Sequence, residues 1–200
     1  LDVADGSEDG RLFIQVMRAG ALTTAVLIDE DEVWLNGTKG VTVAAGNLTF
    51  DTAGKGVHLG VTTPTAANLL DDYEEGTWTA TLIGASASPS TPATQTGYYT
   101  KIGNTVRASV YIANKNTTGA SGEIQVTGLP FSAAETGIVG TYMHYVLASG
   151  GSPSSTVYIA AGSTTARCIY SRDSNTWASV AIIAGTGKYL ILSLIYRTAL

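Results

Sequence analysis

Apolar and polar residues alternate through much of this chain with a period of two, the spacing of strands that bury one face. Val106, Ala108, Val110 and Ile112 interleave with Arg107, Ser109 and Tyr111, and Leu190, Leu192, Leu194 and Tyr196 repeat the pattern further on. Continuing in this way, the pattern predicts nine strands: 77–83, 98–102, 105–112, 123–127, 138–147, 156–161, 166–171, 176–184 and 189–197. Nine strands in so short a span make a β-sandwich, jelly-roll-like in its connections. Residues 84–96, low in complexity and carrying two prolines, are expected to form a long exposed loop.

The first third is patterned differently. Candidate strands 11–18 and 21–28 flank Ala19-Gly20, a hairpin-like break. Shorter ones follow at 33–35, 41–44, 48–50 and 57–61, with Asn36-Gly37 as a strong turn dipeptide. In 11–18, Leu12, Ile14 and Val16 point one way while Phe13 and Met17 point the other, so both faces need cover. About 65 residues of such strands bury too little surface by themselves, and association with other chains is the economical remedy. Two domains are therefore expected, 1–68 a β-rich oligomeric shaft segment and 69–200 a β-sandwich head.

Composition agrees with an all-β, turn-rich protein. Of 200 residues 23 are glycine, 28 threonine and 16 serine, while only 14% are charged. The charge is unevenly divided: 1–75 holds 13 acids and 4 bases, and 76–200 holds 3 acids and 7 bases. Neither half has the dense basic cluster that nucleic acid requires, so no nucleic-acid partner is expected. The longest apolar stretch, 189–196, is far below the roughly 20 residues of a membrane-spanning helix, and no membrane insertion is expected. The opening residues, acidic and without Met, do not resemble a signal peptide. A start of that kind is expected of a processed or partial chain.

Catalytic signatures are weak. Gly185-Thr186-Gly187-Lys188 lacks the upstream glycine and the following Ser/Thr of a phosphate loop, and reads as a glycine turn. Cys168, the one cysteine, falls in an apolar strand pattern and is expected to act as a small hydrophobe. The acidic runs 29–32 and Asp71, Asp72, Glu74 and Glu75 do not have the spacing of a calcium loop and read as solvated turns. No metal, cofactor or catalytic residue is assigned. Exposed aromatic side chains are better candidates, because their rings stack on ligands while a polar tip hydrogen-bonds. Tyr98, Tyr99, Tyr142 and Trp177 are the receptor-binding candidates, with Tyr98 and Tyr99 on opposite faces of one strand. The loops 84–96, 114–122 and 149–155 are further candidates, being rich in small polar residues.

One stretch, LLDDYEEGTWTATL at 69–82, resembles the opening of a C-terminal domain recurrent in bacteriophage tail-fibre and other virion appendage proteins. Companions follow in order: YTKIGN at 99–104, GLPF at 128–131 and YRT at 196–198. The resemblance covers roughly 69–200, and Ala80 departs from the proline usual there. It implies a homotrimeric, β-rich virion component and hands over no receptor-binding residues; such a component is expected to contact other virion proteins and, through its head, a bacterial surface glycan or outer-membrane receptor. It implies no catalytic residues. Within the motif, Trp78 is expected to anchor the core and Gly76 to permit a turn into the first head strand. Asp71, Asp72, Tyr73, Glu74 and Glu75 are expected to make an acidic collar, and Arg197 to serve a subunit interface. Two other roles remain open on the sequence: capsid decoration or tail scaffold, and a fibre-borne depolymerase. The latter is disfavoured by the wide spacing of Glu123, Glu135 and Asp173.

Overall fold

A computed structural model describes residues 12–18, 21–28, 33–35, 45, 47–52, 54–60, 63, 65–148, 155–171 and 177–199. The chain separates into two compact units, Leu1–Thr49 and Phe50–Leu200. In the first unit, β1 (Leu12–Arg18), β2 (Ala21–Ile28) and β3 (Val33–Leu35) form an antiparallel sheet in the order β1-β2-β3. The expected hairpin is present, with Leu12 opposite Ile28 and Arg18 opposite Ala21. Its register slips between Ile14 and Gln15, and Ile14 is exposed. The candidate strand 41–44 lies outside the described residues.

Not every short apolar run becomes a strand. Leu48 and Phe50 are exposed in irregular backbone, correcting the expectation at 48–50. Among the described residues of 57–61 only Val57–His58 form a strand, β4, which pairs with β5 (Leu69–Leu70) after a 3-10 turn at Ala66–Asn68. That ladder joins residues on either side of the expected boundary at 68/69, while the compact units part after Thr49.

The remaining strands are β6 (Tyr73–Gly84), β7 (Ala93–Ile102), β8 (Thr105–Lys115), β9 (Ile124–Thr127), β10 (Gly137–Tyr145), β11 (Thr156–Ile159), β12 (Thr165–Ser171), β13 (Trp177–Ser179) and β14 (Lys188–Arg197). All nine belong to one sheet, ordered β11-β10-β14-β8-β7-β6-β9-β12-β13, and β11 also pairs with β12. That last pairing closes eight strands into a ring, with β13 attached beyond β9 along β12. The expected two-layer head thus takes the form of one antiparallel sheet curled into a barrel, closed by the short ladders of β9 on β6 and of β11 on β12.

Alternation decides what fills the barrel. On β8, Val106, Ala108, Val110 and Ile112 point inward, and on β14 so do Leu190, Leu192, Leu194 and Tyr196. Leu82, Ile124, Val126 and Val157 meet them from the other strands. Cys168 is fully buried among these residues, and the apolar surroundings push its thiol pKa up, so it is inert packing.

Two expectations about backbone change. The loop 84–96 is shorter than foreseen, since β7 begins at buried Ala93 and Ala87 bridges Ser121. Gly76 makes no turn. It lies inside β6 directly opposite Tyr99, and a Cβ there would stand 2.8 Å from the Tyr99 ring. Two residues on, Trp78 pairs with Gly97, where a Cβ would stand against the indole, 2.6 Å from its Cε2. Each glycine is the space into which a cross-strand aromatic folds. Trp78 is buried as expected, although its indole N–H finds no acceptor among the described residues.

Candidate functional site

The four motif stretches converge at one end of the barrel. Phe131, from the GLPF stretch, is half-buried at their meeting point. Tyr99 packs edge-on against its ring, centroids 5.4 Å apart. The Lys101 ammonium sits 5.6 Å from the ring centroid on a second side and is paired with Asp72. The Tyr196 hydroxyl donates to the Phe131 carbonyl at 2.9 Å and accepts from its N–H at 3.3 Å. Burial raises the pKa of that phenol to about 12. Thr198 N–H donates to Asn104 O, and Gly103 N–H to Asp72 O, closing the set.

This geometry revises the acidic collar. Asp72 is bound to Lys101, Glu74 accepts from the Tyr99 hydroxyl, and Glu75 accepts from the Tyr73 hydroxyl. Each carboxylate next to a phenol raises that phenol's pKa, because ionising the tyrosine would break the hydrogen bond and set two anions together. Asp72 and Glu74 therefore each hold a side chain of β7, Glu75 holds Tyr73 within β6, and Lys101 is buried beside Asp72.

At the opposite end, the polar loops hold one another. Ser86 and Ala87 N–H donate to Ser121 O, and Ser90 N–H donates to Thr118 O. Thr117 is fully buried, its hydroxyl within reach of Ile183 O at 3.0 Å and Gly185 O at 3.2 Å. Loop 114–122 is thus anchored through Thr117 and its bonds to 86–90, while Asn114, Asn116, Thr118, Gly119 and Ser121 stay exposed. Of the third candidate loop only Ser155 is described. The glycine turn at 185–187 carries no phosphate-loop geometry: Lys188 is buried, donating to Val146 O at 2.7 Å.

The aromatic candidates divide between inside and outside. Tyr142 is 4% exposed, stacked on His144 within the barrel, and cannot reach a receptor; its strand position puts it inward. Burial lowers the pKa of His144 beside it. Tyr99 is committed to Phe131 and Glu74. Tyr98, 66% exposed, and Trp177, 68% exposed, stand on the outer wall, so the opposite facing of Tyr98 and Tyr99 is present.

Two groups of outward side chains stand out there. One is apolar: Met143, Ile191 and Tyr111 form a cross-strand row on β10, β14 and β8, beside Tyr145 and Tyr189. The Tyr111 and Tyr189 rings stack at 6.4 Å, and the group lines a shallow depression of about 480 Å³. The other is mixed. Trp177 stacks on Tyr158 with centroids 6.2 Å apart and planes at 27°. The Arg167 guanidinium lies 5.4 Å from the Tyr158 centroid and is gripped by Glu123, with Nε at 3.0 and 3.1 Å and Nη2 at 2.8 Å. That bond to Glu123 raises the Arg167 pKa further. Tyr158, Arg167 and Glu123 were absent from the sequence candidates for binding. Their one sequence signal is position: each sits where its strand's alternation puts a polar or aromatic residue outward, next to an apolar one.

The chain matches no protein-family model, and a search of curated proteins returns no match.

Proposed function

We propose that this chain is a non-enzymatic structural protein of a bacteriophage virion, a homotrimeric tail fibre or appendage whose head contacts the bacterial surface. In this reading the β-rich N-terminal segment associates between chains, and the protein resides in the extracellular particle after assembly in the host cytoplasm. The observation that carries it is the meeting of the four resembling stretches around Phe131. Residues scattered from Asp72 to Thr198 become one packing hub, which is what an ordered set of motifs requires if it encodes a domain. The hub spends its polar groups on internal bonds, leaving contact to the outer wall, where Tyr98, Tyr158 and Trp177 stand.

A second role is favoured by one feature. The strip of Met143, Ile191, Tyr111 and Tyr145 is the kind of exposed apolar surface that marks protein contact. It suits a capsid decoration or tail scaffold protein whose head is covered in the particle. Analytical ultracentrifugation tests the assembly: a trimer is expected, and a stable folded monomer overturns it. Antibodies against the head separate the two roles. On intact particles they label the head and block adsorption if it attaches to cells, and they fail to reach it if it is covered.

A further inference from the structure

The geometry points to a subsite for a neutral saccharide on the outer wall of the barrel, built by Trp177, Tyr158, Arg167 and Gln125. It rests on the attachment reading and names the class of ligand that the head takes. Register places three of these side chains in a row. Tyr158 faces Arg167 across β11 and β12, and Arg167 faces Gln125 across β12 and β9. Trp177 reaches the row from β13, stacked on Tyr158 yet 68% exposed.

Aromatic surface beside fixed planar hydrogen-bonding groups is the requirement of a pyranose ring. Its C–H face packs on an indole, and its rim of hydroxyls needs donors and acceptors in a plane. Arg167 supplies the fixed donor. Glu123 holds it through Nε and Nη2, and the second terminal nitrogen, Nη1, has no partner among the described residues and is offered to a ligand oxygen. The Arg167 side chain is 39% exposed and that of Glu123 only 8%, so the carboxylate acts as a buried brace. An arginine already immobilised on both its edge and its face loses little freedom on binding. Gln125 offers both a donor and an acceptor next to it.

The same pair decides the charge of the ligand. Glu123 cancels Arg167, and an anionic glycan would bring its charge to a donor whose countercharge is already in place. A neutral sugar meets no such conflict.

The test uses the full chain and three measurements: tryptophan fluorescence titration, saturation-transfer NMR and adsorption of labelled protein to cells. The probes are short neutral oligosaccharides of glucose, galactose, mannose and N-acetylglucosamine, with oligogalacturonate and heparin fragments as anionic comparators. At least one neutral series is expected to bind. Trp177→Ala should weaken it about tenfold or more, as loss of an aromatic anchor does. Trp177→Phe should restore part of that loss. Gln125→Ala should weaken binding, and Met143→Ala on the apolar strip should leave it unchanged. Thermal melting of Trp177→Ala should match the parent, since the side chain is exposed. Failure of every neutral series, binding of the anionic probes alone, or full affinity in Trp177→Ala each overturns the subsite. Unchanged neutral-glycan affinity together with persisting cell adsorption in Trp177→Ala overturns the subsite while the attachment reading stands. Neutral-glycan binding without adsorption to any cell upholds the subsite and removes attachment.

Discussion

Replacing Phe131 with leucine removes an aromatic ring from the point where the four motif stretches meet, while retaining apolar volume. The hydrogen bonds from Tyr196 go to the Phe131 backbone and survive the change. What disappears is the edge-on contact with Tyr99 and the ring beneath Lys101. The first kind of contact contributes about 0.5–1.5 kcal/mol and the second about 0.5–1 kcal/mol. Phe131→Leu should therefore destabilise the barrel by roughly 1–2.5 kcal/mol, a fall in Tm of about 2–10 °C for a unit of this size. Urea denaturation followed by circular dichroism measures it, with Phe50→Leu, half-exposed outside the hub, as the control. A double-mutant cycle with Tyr99→Leu should return a coupling of about 0.5–1.5 kcal/mol. If Phe131→Leu is indistinguishable from the control, or the cycle shows no coupling, the four stretches do not act as one hub.

Gly97→Ala drives a methyl group against the Trp78 indole, 2.6 Å from its Cε2, and against Ser109 O at 2.7 Å; overpacking of that kind costs about 1–3 kcal/mol, read as a lower urea midpoint. Arg167→Ala leaves the Glu123 carboxylate buried without its partner. Such losses reach about 3–5 kcal/mol in dry interiors, and the partial exposure of Arg167 reduces the expectation to roughly 1–3 kcal/mol; thermal melts of Arg167→Ala and Arg167→Ala/Glu123→Gln, the second recovering part of the loss, check it. Tyr196 carries a pH prediction. Its folded pKa, about 12, lies above the ordinary 10.0, so the folded state keeps the proton that the unfolded chain releases. The stability this confers is complete below about pH 10 and is lost as pH rises toward 12; Tyr196→Phe should flatten that part of a stability-against-pH curve, and an unchanged slope would contradict the burial of the phenol.

Strand positions were legible because alternation is a local signal. The runs on β8 and β14 reveal which side is wet before any partner is known, and the structure buries the four alternating residues of each. Ring closure was not legible, since it depends on β11 reaching β12 as well as β10, a pairing between residues such as Val157 and Cys168 that carry no mark of their neighbour. Gly76 shows a subtler loss. Glycine in sequence reads as a turn, because freedom at φ is its commonest use. Here the missing side chain makes room for Tyr99, 23 residues away and opposite only once β6 and β7 are in register.

The outer-wall cluster exposes the same boundary from the side of function. Tyr142 and Tyr158 look alike in sequence, each an aromatic in a short strand. Strand phase separates them, placing Tyr142 inward toward the core and Tyr158 outward beside Arg167. Phase alone still would not single out Tyr158. Its neighbours come from three other segments: Arg167 on β12, Trp177 on β13, and Glu123 just before β9. Glu123, one of three scattered acids after residue 75, attracts attention in sequence only as a poor catalytic candidate. Its position is set by Ile124 and Val126 turning inward, which carries the backbone at 123 to the Ala181 bridge and within reach of Arg167. The buried residues that make the barrel thus determine where its exposed chemistry gathers. A binding surface assembled in this way is encoded by core positions as much as by the side chains that would touch a ligand, and a change at Ile124 should disturb Arg167 before it disturbs Trp177.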